Sequence, residues 1–321
     1  DAASAYIYGA RASFGVILVT TKSGKSGKTN VNYSGNVRFN DAIGIPELMD
    51  SYTFAQYFNR ASSNRGGGDI FSPAVMERIK AYQEGTLTAT TVDNGSGIWQ
   101  KWANANGNTD WFGEFYDNWV PSQEHNLSIS GGTEKLQYVL SGSFLDQKGL
   151  LRHGTDKFQR YTLNSKITAN ITDWLKVTLN SKWTREDFQR PTYLTSSFFH
   201  NLARKWPVHP AYDPNGFPMD EGEIEQMENG GEQNSQKDYY TNQLHVVIEP
   251  IKNWRINLEG SVRTTTQYQH WEVLPVHAYD VNGDPYYTVW DMGYGSYSAG
   301  SSRVDEYSWK ENYYTTNIYS D

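Results

Sequence analysis

Several short runs in this chain carry residues able to do chemistry. The first is Ser23-Gly24-Lys25-Ser26-Gly27-Lys28-Thr29, which has the ingredients of a phosphate-cradling loop. A phosphate loop ending in Gly27-Lys28-Thr29 needs glycine at position 22, and that residue is Lys22. The run reads instead as a flexible connection. Seven histidines, at 125, 153, 200, 209, 245, 270 and 277, show no metalloprotease spacing, and the chain has no cysteine to supply thiolate ligands. His200 and His209 flank Trp206-Pro207 and are expected to pack within a loop. No Ser/His/Asp set can be singled out, so no catalytic residue, metal site or cofactor is assigned and no enzyme is expected. The segment Trp206–Gln236 holds Asp213, Asp220, Glu221, Glu223, Glu225, Glu228 and Glu232 without a single Lys or Arg. Asp213/Asn215 and Asp280/Asn282/Asp284 could offer oxygen ligands to calcium, but the EF-hand pattern is not met and both runs read better as turns. The best candidates for contact with a ligand or a protein lid are Trp99, Trp102, Trp111, Trp119, Trp206, Trp271 and Trp290, because an indole joins a large apolar face to a polar edge.

Composition narrows the setting of these residues. The 321 residues carry a net charge of -8, which argues against nucleic acid as a partner. Aromatic residues make up 15% of the chain, with 23 Tyr and 11 Trp. Mean hydropathy is -0.70, and no apolar run approaches the roughly 20 residues of a membrane helix. A membrane β-barrel remains open, since only alternate residues face lipid.

The elements that must position the candidates are long alternating strands. They are expected at Thr29–Phe39, Glu124–Ser130, Leu136–Asp146, Phe158–Ile171, Trp174–Arg185, Tyr239–Glu249, Trp254–Tyr268 and Val304–Ile318. In Phe158–Ile171, Tyr161, Leu163, Ile167 and Ile171 oppose Thr162, Asn164, Lys166 and Thr168. Hairpin turns at Gly131–Lys135, Thr172-Asp173 and Pro250–Asn253 alternate with long links, chiefly loops 40–123, 187–238 and 269–303. Short connections on one side and long on the other imply an up-and-down outer-membrane wall. Trp254 to Tyr268 spans about 46 Å along the strand, or roughly 33 Å when tilted by about 45°, placing one aromatic at each interface. Trp174 stands one residue out of phase with Leu175 and Val177. The hydrated lumen face would carry Lys166, Lys176, Asn180, Lys182, Arg255, Glu259 and Arg263. Two helices, Tyr52–Ala61 and Pro73–Glu84, are expected to pack within the first long loop. A complete small eight-stranded barrel with a structural or adhesive role and a soluble β-rich glycan-binding module are the alternatives.

The N-terminal block adds a resemblance. Asp1-Ala2-Ala3-Ser4-Ala5-Tyr6-Ile7-Tyr8-Gly9-Ala10-Arg11 and Gly15-Val16-Ile17-Leu18-Val19-Thr20-Thr21-Lys22 resemble the closing segment of the plug in SusC/RagA-type TonB-dependent outer-membrane transporters. Asn108-Thr109-Asp110-Trp111, Gln123-Glu124-His125-Asn126-Leu127-Ser128-Ile129-Ser130-Gly131-Gly132 and Asp173-Trp174-Leu175-Lys176-Val177 are similar to the same family. The resemblance implies a fold of class β: residues 1–28 as the C-terminal end of a plug domain, and 29–321 as part of a transmembrane antiparallel up-and-down β-barrel, about eight of 22 strands. It also implies a chain truncated at both ends. Tyr8, Gly9, Arg11 and Gly15 then belong to the plug motif, Gly9 and Gly15 for tight backbone turns and Arg11 for pairing with the barrel wall. Implied partners are outer-membrane lipid, a SusD-like surface lipoprotein over the mouth, TonB through a missing N-terminal segment, and an oligosaccharide or peptide substrate. The location implied is the bacterial cell outer membrane.

Overall fold

The computed structural model describes residues 22–288, 290–291, 296–297 and 300–320, with backbone alone at 290–291 and 296–297. The plug motif at Tyr8, Gly9, Arg11 and Gly15 lies outside the described residues. Eight long strands form one antiparallel sheet in chain order: β1 (Gly27–Asn40), β2 (Val120–Gly132), β3 (Leu136–Lys148), β4 (Lys157–Thr172), β5 (Leu175–Pro191), β6 (Glu232–Ile251), β7 (Trp254–Val273) and β12 (Arg303–Ser320). Between the last two lie four short strands in two small ladders, β8 (His277–Tyr279) with β9 (Pro285–Tyr287) and β10 (Trp290–Asp291) with β11 (Ser296–Tyr297).

The register explains the two-faced sequence. Leu140, Ser165, Ser181, Asn242 and Val262 stand side by side in one row, and Gly142, Leu163, Trp183, Tyr240 and Thr264 in the next. These belong to the apolar face. The opposite face carries Lys166, Asn180, Lys182, Glu259 and Arg263, as alternation requires. The apolar face is not covered: Leu163, Leu244 and Val262 are exposed. A soluble sandwich would bury that face against a second sheet. Among the described residues β1 pairs with β2 and β12 with β7, so the wall is open and is not a closed eight-stranded barrel.

Three expectations need correction. The strands reach further toward the long loops than alternation suggests: β5 continues to Pro191, β6 begins at Glu232 and β7 ends at Val273. Most of the added residues are polar, Phe188, Pro191, Trp271 and Val273 apart, so no continuous apolar period marks them. Side chains paired across strands hold them, Gln189 to Glu232 at 2.6 Å and Arg190 to Gln233 at 2.8 Å. Trp174 is not the first residue of a strand but sits in the tight turn between β4 and β5, which accounts for its phase. The apolar belt is also shorter than Trp254–Tyr268. Arg185 grips Asp238 through two contacts of 2.9 and 2.8 Å on the same face, in the row below Tyr268. These paired charges interrupt the apolar face at that row.

Packed cores lie in the long loops. Helices α1 (Ser51–Asn64) and α2 (Pro73–Gln83) bury Ala55, Phe71, Val75 and Ile79 together with Val208. Helices α3 (Trp111–Phe115), α4 (Ser196–Ala203) and α5 (Ile224–Asn229) surround a second core of Trp111, Phe115, Phe198, Leu202, Ile224 and Met227.

Candidate functional site

The loops above the sheet are rigidly built. Asp50 caps α1 by accepting from Thr53 N at 2.9 Å and Thr53 Oγ1 at 2.7 Å, and Gln83 at the end of α2 donates to the same carboxylate at 3.0 Å. These bonds, led by that from the Thr53 hydroxyl, hold the Asp50 carboxyl at about 2. Ser72 caps α2 and Pro73 opens it. The Asn59 amide clasps Phe71 at both its N–H and its carbonyl, 2.8 Å each. The linker between the helices is thereby locked to α1.

On this base three of the seven candidate tryptophans come together. Trp206 lies 4.9 Å from Phe58, 5.4 Å from Phe54 and 6.0 Å from Trp102, ring centre to ring centre. Trp111 is fully buried and donates its indole N–H to the Trp206 carbonyl at 3.0 Å. Trp102 stacks on His209 at 4.5 Å, and its indole N–H donates to Glu221 Oε2 at 2.6 Å. Buried Lys205 passes over Trp111 at 4.9 Å and Trp102 at 5.8 Å, and donates to the Glu223 carboxylate and the Glu221 carbonyl. Lys101 donates to Asp220 and Glu221 at 2.6 Å each. Trp102, Glu221 and Glu223 all have left-handed backbones, with φ of 52°, 63° and 63°. Strain of this kind persists only where surrounding contacts over-determine it.

Burial shapes the electrostatics. It lowers Lys205 to about 7, against the pull of Glu221 and Asp220. It also lowers His209 well below its ordinary value, aided by the Lys205 charge. Burial works downward on Lys101 too, but the hydrogen bonds to Asp220 and Glu221 outweigh it and raise the group. The acidic run Trp206–Gln236 is therefore partly consumed in neutralising two lysines that precede it in the chain. Trp111 has no face left to offer a ligand.

The remaining candidates lie apart. Trp99 bridges to Asp93 in a small hairpin, and Trp271 sits at the top of β7 with Arg303 at 5.9 Å from its ring. The Trp290 backbone pairs with Tyr297, and its side chain lies outside the described residues. Trp119 is 70% exposed, at the mouth of β2, in a left-handed conformation with φ of 58°. Asp213 and Asp280 accept from backbone N–H groups at 2.8–3.0 Å inside turns. Among the described residues no group of three or more acidic or histidine side chains is arranged to hold a metal.

Two features escaped the sequence reading. Buried His153 lies between Glu228 at 2.6 Å and Glu114 at 3.1 Å, and Tyr212 donates to Glu114 at 3.0 Å. This joins three separate loops, and no spacing in the chain announces it. On the polar face of the wall, Lys166 reaches Ser23 at 2.8 Å, and Gly24 lies against the Tyr138 backbone, where a Cβ would fall 2.6 Å from the nitrogen. The segment entering β1 thus rests on the polar side of β3 and β4.

No family model matches the chain. The chain is 28% identical over 185 residues to the TonB-dependent receptor SusC of Bacteroides thetaiotaomicron, covering 57% of this chain and 15% of that protein. It is 24% identical over 222 residues to the TonB-dependent receptor P26 of Formosa agariphila, covering 67% and 19%. The chain therefore spans less than a fifth of the curated relatives it matches. Its fold matches the RagAB peptide importer in the open-open state with a TM-score of 0.71 at 18% identity, covering all of this chain and 35% of that one. Against the closed-closed state the TM-score is 0.63 at 19% identity, covering 84% and 32%. A wall of sequentially paired strands and loops that carry their own cores accompany this likeness, in sequence to TonB-dependent receptors such as SusC and in fold to the RagAB importer.

Proposed function

We propose that the protein of which this chain forms a part imports oligosaccharides or peptides across the bacterial outer membrane, driven through TonB and capped by a SusD-like lipoprotein. Residues 1–28 are read as the end of its plug and 29–321 as a section of its barrel wall. One observation carries this reading: eight strands pair in chain order, with tight turns at one end and, at the other, long links at 41–119, 192–231 and 274–302, the first two holding packed cores. In such a wall the turns face the periplasm and the loops face outward. Likeness to SusC supports a nutrient-import role, and the likeness in fold is to a peptide importer. Trp119 is the candidate tryptophan whose exposure leaves a face for the lid or the cargo.

The test is deletion of the encoding gene, followed by growth on a panel of polysaccharides and peptide digests. Loss of growth on one class, reproduced by loss of TonB and restored by the intact gene, is the expected result. Unchanged growth on every member, or a protein absent from the outer-membrane fraction, overturns the reading.

A further inference from the structure

The contacts of His153 leave a proton to be accounted for. Its ring is almost fully enclosed, with Nδ1 2.6 Å from Glu228 Oε1 and Nε2 3.1 Å from Glu114 Oε1. An ionised carboxylate only accepts, and a neutral imidazole donates from one nitrogen alone. A neutral ring would therefore turn a lone pair on one of the two carboxylates at hydrogen-bond distance. Tyr212 offers the ring no acceptor, since it donates to the same Glu114 oxygen at 3.0 Å. Burial, together with that bond, pushes the Tyr212 hydroxyl up to about 12, so it keeps its own proton. The triad thus holds one proton more than a neutral ring between two carboxylates. The neighbouring cation, Arg152, is turned to Asp117 at 2.9 Å. Glu225, on the same helix as Glu228, is engaged by Asn229 at 3.0 Å, and Asp156, farther along the link, feels Arg190.

That proton sits where three segments meet. The 149–156 link carries His153, α3 carries Glu114 and α5 carries Glu228. Backbone seats the link as well: Asp117 N–H donates to the Leu150 carbonyl at 2.8 Å, and Arg152 N–H to the Phe115 carbonyl at 2.9 Å. Phe115 meets the imidazole edge to face at 5.3 Å, and a Cβ at Gly154 would collide with the Met227 carbonyl of α5. We propose that His153 is a proton-dependent clasp, which joins these three loops into one body while charged and lets the 149–156 link lift away once the proton is lost. The sign follows from counting protons. The closed form needs a proton that the open form does not, so closure weakens as pH rises. Lys205, in the neighbouring cluster, responds in the opposite sense. The proposal does not depend on which cargo the receptor carries.

The test is hydrogen exchange by mass spectrometry on the purified whole receptor at about pH 6 and about pH 9, with rates corrected for the intrinsic acceleration of exchange by hydroxide. The Asp117 and Arg152 amides report on the clasp through their bonds to Leu150 and Phe115. In the parent their corrected exchange should be about tenfold faster at the higher pH. Glu228→Gln is the deciding variant. Its new amide can donate to the bare Nδ1 of a neutral ring, so protection should be equal at both pH values. His153→Gln, which cannot donate in two opposed directions, should exchange at the fast rate at both. Equal corrected rates in the parent overturn the clasp, and so does a Glu228→Gln receptor that still loosens in alkali. A response that persists in His153→Gln and vanishes in Lys205→Met would also overturn it, assigning the titration to the lysine.

Discussion

A lysine enclosed by two indoles and two glutamates sets the tone of the loop chemistry. The Lys205 and Glu223 side chains are 1% and 10% exposed, so neither charge is solvated without the other. Removing one partner of such a pair strands the other, and the cost is about 3 kcal/mol or more. Lys205→Met should therefore loosen segments 99–115 and 204–224, seen as faster amide exchange. The double change Lys205→Met with Glu223→Met should recover most of the loss, since apolar replacement of a buried pair is often neutral. The same burial gives a pH dependence. With the folded lysine lowered to about 7 from its ordinary 10.5, the unfolded chain holds more protons between those values, so this group's contribution to stability grows as pH rises through that window. Melting of the loop region followed from pH 7 to 9 should move upward, and a downward shift on mutation-free protein would count against a lysine-controlled response.

At the scale of elements, the helices of the first loop depend on caps that the sequence displays openly. Asp50→Ala should cost about 1 kcal/mol and fray the first turn of α1, measurable by exchange at Thr53 and Phe54. Because the folded carboxyl is depressed to about 2 from 3.8, its contribution is complete above 3.8 and fades as pH falls toward 2. Acid should thus open α1 before it affects α2, whose cap is the uncharged Ser72. Simultaneous opening of both helices would contradict a carboxylate-led transition. The strands behave differently. Their inner lengths are held by row upon row of apolar neighbours, while their upper ends rely on polar pairs such as Gln189 with Glu232.

For the whole molecule, the entry of the chain into its wall is the point where mechanics and sequence meet. Ser23 is held by Lys166, and a Cβ at Gly24 would fall 2.6 Å from one backbone atom of Tyr138 and 2.7 Å from another. Gly24→Val should lift the segment off the wall, because backbone cannot yield as a flexible side chain can. Residues 1–321 contain no cysteine, so a Ser23→Cys reporter, placed in a receptor with any cysteine elsewhere changed to serine, gives a clean signal. Its maleimide labelling in intact outer membranes should be slow while Gly24 is kept and several-fold faster once Gly24→Val is added. Equal rates would show that the contact does not restrain this segment. Under the import function proposed above, Trp119→Ala, at a residue 70% exposed, should weaken lid capture or uptake while leaving barrel assembly unchanged. A fall in assembled receptor instead would assign Trp119 to folding.

Alternation by itself determined the eight strands, their order of appearance, their two faces and the asymmetry of short turns and long loops, because a period of two is a local property of a half-wetted strand. Local signals likewise announced the two helices of the first loop at Tyr52–Ala61 and Pro73–Glu84, the second opening on its proline. Tertiary structure alone decided which side chains meet. It enclosed Trp111, left Trp119 in the open, and drew Lys205 to Glu223 and His153 to Glu114 and Glu228. It also fixed the upper reach of the strands and the depth at which Arg185 and Asp238 end the apolar belt. Such contacts join residues remote in the chain, and no local period encodes them.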